Sequence, residues 1–284
     1  MTMIINRARR ILVPALKGTA LGNILVSAYR GSERVTAQFQ RVGTVARYCI
    51  PKVTAAASWL VRSSEISNFV YDLTESNKLY LANGVAVALG CTVDEILALF
   101  GEAESDRDLR AHLIENKSQP FFGRRLIWYA VARKKKPKVI VETGVDRGLG
   151  SVLLCAALLR NAAEGAPGRH YGLDITPTAG DFLSGRYASV GQILFGDAIS
   201  TLRDFDKPID LFINDSDHHA DYERREYEAV SSKLSSGAFV IGDNIHVTTE
   251  LAEFSRRENR RFLYLPETPK DHWYPGAATG LSFP

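Results

Sequence analysis

The sequence predicts an α/β protein: a doubly wound, mostly parallel sheet preceded by a helical N-terminal region. Three observations carry that prediction. After Lys138 short apolar runs alternate with helical stretches, the pattern of strands joined by crossover helices. Before it, apolar positions recur at helical spacing. Five of the apolar runs also end at or beside an acid, which sets a row of carboxylates along the edge where open parallel sheets bind ligands.

Taken in order, residues 1–62 mix short apolar pieces with Gly18, Gly22, Gly31 and Gly43 and the breakers Pro14 and Pro51, so broken helices are expected there. Residues 63–136 read as helical. "EISNFVYDLTESNKLYLANGVAVALG" is followed by "TVDEILALFGEAE", where Thr92 and Glu95 form a capping-box pattern. Then come "DRDLRAHLIENK" and "PFFGRRLIWYAVARKKK", with Pro120 placed at a helix start. Residues 137–284 hold the sheet. Its strand-like runs are "KVIVET" (138–143), "RHYGLDI" (169–175), "GQILFGD" (191–197), "IDLFIND" (209–215) and "SGAFVIGDN" (236–244). A terminal "RFLYLPE" and "ATGLSF" are expected to add a hairpin at one edge.

Hydrophobic residues at 45% and charged residues at 24% describe a globular chain rather than a disordered one. Cys49, Cys91 and Cys155 are odd in number and far apart, which suggests neither a disulfide framework nor a zinc knot and fits a reducing cytoplasm. The net charge of +3 hides an asymmetry. Residues 1–64 hold ten Lys/Arg and one acid, Glu33, for +9, leaving −6 on the rest. Such a segment suits solvated helix faces, or a peripheral contact with an anionic membrane surface. No apolar run approaches the roughly 18 residues that span a bilayer. "RKKKPK" (133–138) lacks interleaved aromatics, so a solvated helix C-terminus is expected there rather than a nucleic-acid patch.

The acids at the strand ends are Glu142, Asp174, Asp197, Asp215 and Asp243, and together they predict an acidic pocket. The first strand turns through "ETGVDRGLGS", whose glycines let backbone approach a ligand closely. The spacing is G-x-x-x-G-x-G, so the dinucleotide fingerprint is absent. "VIVETGVDRGLGS" resembles the first motif of class I S-adenosylmethionine-dependent methyltransferases, "YGLDI" their second-strand acid and "LFGDAISTL" their third motif. The resemblance covers roughly 138–284. It implies S-adenosylmethionine as cofactor, with Glu142, Gly144, Gly148 and Ser151 at the methionine part and Asp174 at the ribose hydroxyls. Asp197 and the Ala198 backbone would meet adenine, and Asp215 would stand near the methyl group. An acidic rim suits a sulfonium cation and would repel a pyrophosphate.

"INDSDHHADY" (213–222) follows the fourth strand, and "GDN" ends the fifth. Asp215, Asp243 and Asn244 offer three oxygen ligands suited to Mg²⁺. The arrangement is similar to divalent-metal-dependent O-methyltransferases of the catechol and caffeoyl-CoA type, and to bacterial relatives that methylate sugars and other natural-product hydroxyls. In the first group a lysine three residues after the ligand aspartate serves as base; here that position is His218. Asp217 is expected to cap the next helix, His219 to face substrate or solvent, and His246 to stand at the acceptor site or on an exposed loop. Tyr222, Tyr227, Trp273 and Tyr274 are candidate walls for a sugar or an aromatic ring. The expected activity is Mg²⁺-dependent O-methylation of a small-molecule or sugar hydroxyl, in a homo-oligomer that binds no nucleic acid, with residues 63–136 covering the acceptor pocket or forming a dimer. The alternatives are a metal-independent N- or O-methyltransferase and a non-catalytic nucleoside-fold binding protein associated with a membrane or partner.

Overall fold

A computed structural model describes residues 70–284 and, before them, scattered helical residues between 35 and 61. The chain divides into two compact units, Met1–Arg62 and Ser63–Pro284. The expectations for the basic segment lie largely outside the described residues.

The second unit opens with three helices whose sequences carry their own start signals. Helix α1 (Glu75–Leu89) is capped by Thr74 and closed by Gly90 in the left-handed region. In α2 (Val93–Ser105) the capping box of Thr92 and Glu95 is complete. Asp106 caps α3 (Arg107–Glu115). Helix α4 (Arg125–Lys135) starts five residues later than Pro120 suggested and has no side-chain cap. Its last turn is less solvated than "RKKKPK" implied. Arg133 pairs with Glu102 and Glu164, and Lys134 with Glu95, which ties α4 to the neighbouring helices.

The sheet follows as β1 (Val139–Thr143), α5 (Leu149–Ala163), β2 (Arg169–Asp174), β3 (Gly191–Phe195), α6 (Ala198–Asp204), β4 (Ile209–Asn214), α7 (Ala220–Ser231), β5 (Leu234–Gly242), α8 (Glu250–Arg257), β6 (Arg261–Pro266) and β7 (Ala278–Phe283). Its seven strands run in the order β3-β2-β1-β4-β5-β7-β6. The pairs among β1 to β5 are parallel, and β7 runs antiparallel to both β5 and β6, so the expected edge hairpin is present.

Alternation along the strands sorts the core into two layers. Ile140, Leu211, Ile213, Phe239 and Ile241 pack with α1, α2, α4 and α5, where Trp128 and Tyr129 are fully buried. Val141, Phe212 and Val240 pack with Leu202 of α6, Tyr227 and Val230 of α7, and Leu251 and Phe254 of α8. Tyr227 is therefore a core residue rather than a pocket wall, stacked on Phe254 at 5.2 Å. No single helix among the described residues is long and apolar enough to cross a membrane.

Candidate active site

A cleft of about 1040 Å³ opens at the carboxyl ends of β1, β2 and β4. Glu142, Gly144, Asp174, Asp197, Ala198, Asp215 and Asn244 all line it, so most of the predicted site converges. The helical region supplies one wall through Val70, Lys117, Arg124 and Arg125.

The loop after β1 is held by Asp174. One carboxylate oxygen accepts the backbone N–H groups of Val145 (2.9 Å) and Asp146 (3.0 Å), and the other accepts Thr176 N–H at 2.8 Å. Gly144 sits at φ 77° with the Asp215 carbonyl where a Cβ would project, so a side chain there would collide with backbone. Gly148 also has positive φ, but it packs toward Gly180 and is not on the cleft wall. Ser151 is likewise off the wall. Its hydroxyl donates to Glu142 Oε2 at 2.6 Å, and His170, absent from the sequence reading, meets the same oxygen at 2.8 Å. Both residues orient Glu142. Asp197 caps α6 by accepting Ser200 N–H at 2.8 Å, and it also accepts the Tyr222 hydroxyl at 3.0 Å. Its backbone bond from Ser200 is the first reason its carboxyl lies below the usual range. Tyr222 therefore belongs to the Asp197 end of the cleft, and the exposed side chain of Ile175 also lines the cleft.

At the other end the predicted metal ligands come together but are already engaged. Both oxygens of Asp243 accept the Arg124 guanidinium, through Nε and Nη2, in a fork that is buried from solvent. Arg124 also donates to the Tyr71 hydroxyl (2.8 Å) and Glu267 Oε1 (3.2 Å), and Tyr71 donates to Glu267 at 2.5 Å. Arg125 brings a second guanidinium to 3.7 Å from Asp215 and lies over the Trp128 ring. Asp243 does not line the cleft. These residues do not fit a divalent cation, because a guanidinium fills the space between Asp243 and any metal it would hold. The magnesium expectation thus finds no support in this donor set. The expectation of an acidic pocket changes with it, since Lys117, Arg124, Arg125 and Arg147 face the same space as the acids. Burial and the neighbouring Asp243 charge push the Asp215 carboxyl up. Burial acts in the same direction on Asp243, yet Arg124 outweighs it and holds that carboxyl low.

His218 is one-quarter exposed, its Nε2 2.9 Å from the Asn244 side-chain amide and 3.8 Å from Asp215. It reaches the cleft through Asn244, whereas His246 is on the wall itself. Burial lowers the His218 pKa, so the ring is neutral near pH 7. His219 is exposed and paired with Asp217. Asp217 accepts the His219 backbone N–H at 3.0 Å, but the helix cap is His219, two residues further on than expected. Tyr274 lines the cleft, stacked at an angle 5.9 Å from Tyr71. Arg124, Arg125, Tyr71 and Glu267 were missed in the sequence. One signal was available, because two arginines opening a helix oppose its dipole and call for acidic partners.

Strand order, glycine-bearing β1 loop and strand-end acids together define a class I methyltransferase architecture. Residues 141–245 match a family model described as a methyltransferase domain. The fold is therefore that of class I methyltransferases, and residues 141–245 carry a methyltransferase domain. Its solved structural neighbours include an O-methyltransferase from Bacillus cereus in complex with SAH, 13% identical, covering 72% of this chain and 96% of that one at a TM-score of 0.43. Another is the O-methyltransferase TomG from Streptomyces achromogenes, involved in tomaymycin synthesis, at 15% identity, 82% and 97% coverage and TM-score 0.44. A third is the SAH-bound methyltransferase PaMTH1 of Podospora anserina, at 15% identity, 67% and 88% coverage and TM-score 0.43. No curated protein matches the chain.

Proposed function

We propose that the chain transfers the methyl group of S-adenosylmethionine to a hydroxyl of a small molecule or sugar, without a metal. The observation that supports this most is the meeting, in one cleft, of the Glu142, Asp174 and Asp197 carboxylates with Asp215 and Asn244, behind which His218 stands in contact with the Asn244 amide. In this reading Asp174 meets the ribose hydroxyls with the acceptor capacity its backbone bonds leave over. Asp197 and the Ala198 backbone meet adenine, with Ile175 against the ring face. Glu142, fixed by Ser151 and His170, faces the methionine amine.

At the second cluster the acceptor hydroxyl displaces the Asn244 amide from His218 and meets a neutral imidazole. Its oxygen attacks the methyl carbon in line as the carbon–sulfur bond breaks. The electron pair goes to sulfur, and the hydroxyl proton goes to His218. The test is transfer of an isotopically labelled methyl group from S-adenosylmethionine to a panel of phenols, sugars and amines, with products read by NMR. Methoxy products support the reading, and N-methyl products alone would refute it. Loss of turnover in His218→Gln, with His246→Gln active and cofactor binding intact in both, would assign the base.

A further inference from the structure

The misfit between the predicted metal ligands and a divalent cation has a structural cause that resolves into a function. We propose that Arg124 and Arg125 take the place of that cation, neutralising Asp215 and Asp243 so that the acceptor end of the cleft is complete without a metal. The inference rests on the methyltransferase reading above and concerns the same site.

Charge and geometry carry it. Two carboxylates, Asp215 and Asp243, stand side by side at the ends of adjacent strands β4 and β5, and such a pair requires nearby positive charge. Two guanidinium groups supply it from the start of α4. Arg124 makes a two-point fork on Asp243, the planar geometry that an ammonium cannot reproduce. Its remaining N–H capacity goes to Tyr71 and Glu267, so it is locked on three sides and exposes only 4% of its surface. Arg124 is therefore a positioning residue. Arg125 is held less tightly, 3.7 Å from Asp215 and on the cleft wall, where its charge faces an entering oxygen. A divalent ion added to this set would have to compete with two guanidinium groups already beside the carboxylates, the reverse of a cation site.

The test uses the full-length chain with S-adenosylhomocysteine and Mn²⁺, the free ion being followed by its electron paramagnetic resonance signal. The wild-type protein is expected to leave that signal undiminished at millimolar ion. Arg124→Met uncovers Asp243 beside Asp215 and Asn244, and it is expected to create saturable Mn²⁺ binding that Asp243→Asn in the same background removes. Saturable, Asp243-dependent Mn²⁺ binding by the wild-type chain would overturn the proposal, as would a folded Arg124→Met variant that binds none. If Arg124→Met fails to fold, the wild-type titration decides, together with methyl transfer before and after dialysis against chelator. Loss of turnover restored by Mg²⁺ counts against the arginine pair, and unchanged turnover supports it. Calorimetry with S-adenosylhomocysteine on the same sample keeps the two readings apart. Absent cofactor binding removes the methyltransferase function, whereas cofactor binding with Asp243-dependent Mn²⁺ binding removes only this inference.

Discussion

At one end of the cleft Asp174 is held by backbone N–H groups no more than 29 residues away in sequence. At the other, Asp243 is held by a guanidinium 119 residues away. The first arrangement is made by the chain's own turn and persists whatever the side chains around it do. The second depends on long-range partners buried from solvent, where the Asp243 charge is tolerable only while Arg124 is present. In the proposed reading the donor end is thus built locally, while the acceptor end doubles as a structural joint between α4 and the sheet.

The sharpest way to break that comparison is Asp243→Asn. It leaves Arg124 buried with weaker partners, and loss of one member of a buried ion pair costs about 3–5 kcal/mol. Urea denaturation followed by circular dichroism should show that loss, whereas Asp174→Asn should lower stability by no more than about 1 kcal/mol. Equal losses would mean that the two ends are not built differently.

The same contrast explains what was legible in the sequence. The strands and their acids could be read because period-two apolar runs and strand-end carboxylates are local signals. Gly144 was legible for the same reason. Gly148 and Ser151 lie beside the cleft rather than on its wall, because a spacing motif does not say which loop residues reach the surface; Ser151 acts on the wall through Glu142. Asp243 could be found, but its arginine partner could not. Its acid, its strand end and its neighbour Asn244 are all local, while the arginine that claims it lies on a helix that only tertiary packing brings near. Tyr227 failed likewise, since its place on the inner face of α7 depends on how that helix docks on the sheet.

Behind the cleft floor Glu226 offers a pH test of the acceptor end. It is buried, accepting the Asn214 amide at 2.7 Å and the Ser216 hydroxyl at 2.5 Å, and burial pushes its pKa from 4.5 up to about 7 against the pull of those bonds. Between those values the folded protein keeps a proton that the unfolded chain has lost, so stability falls as pH rises from 4.5 to about 7. The integrated effect is on the order of 3 kcal/mol. Glu226→Gln should flatten that decline in urea midpoints measured across the window and be the more stable form above it. A variant that tracks the wild-type slope would show that Glu226 is not the titrating group.

Binding should respond at the donor end instead. Asp174→Ala removes the acceptor for Val145, Asp146 and Thr176 N–H along with the proposed ribose contacts. Hydrogen bonds to a charged group are worth about 1.5–3 kcal/mol, so affinity for S-adenosylhomocysteine should fall roughly tenfold to a hundredfold by calorimetry. The unfolding midpoint of the unliganded protein should move far less than in Asp243→Asn. An unchanged dissociation constant would take Asp174 out of the cofactor site.

The smallest effect expected is that of Tyr222→Phe, which tests how finely the donor end is set. Its hydroxyl donates to Asp197 at 3.0 Å, while backbone N–H of Ser200 holds the other oxygen. With the backbone bond intact, Asp197 keeps its position as the α6 cap and loses only one neutral donor, worth about 1 kcal/mol. Cofactor affinity should therefore drop about fivefold. Folding stability should stay within about 0.5 kcal/mol of wild type, since the phenyl ring retains its packing and the freed carboxylate oxygen is open to water. A drop as large as that of Asp174→Ala would mean that the tyrosine hydroxyl, and not the turn, positions Asp197, and the local construction argued for this end of the cleft would fail.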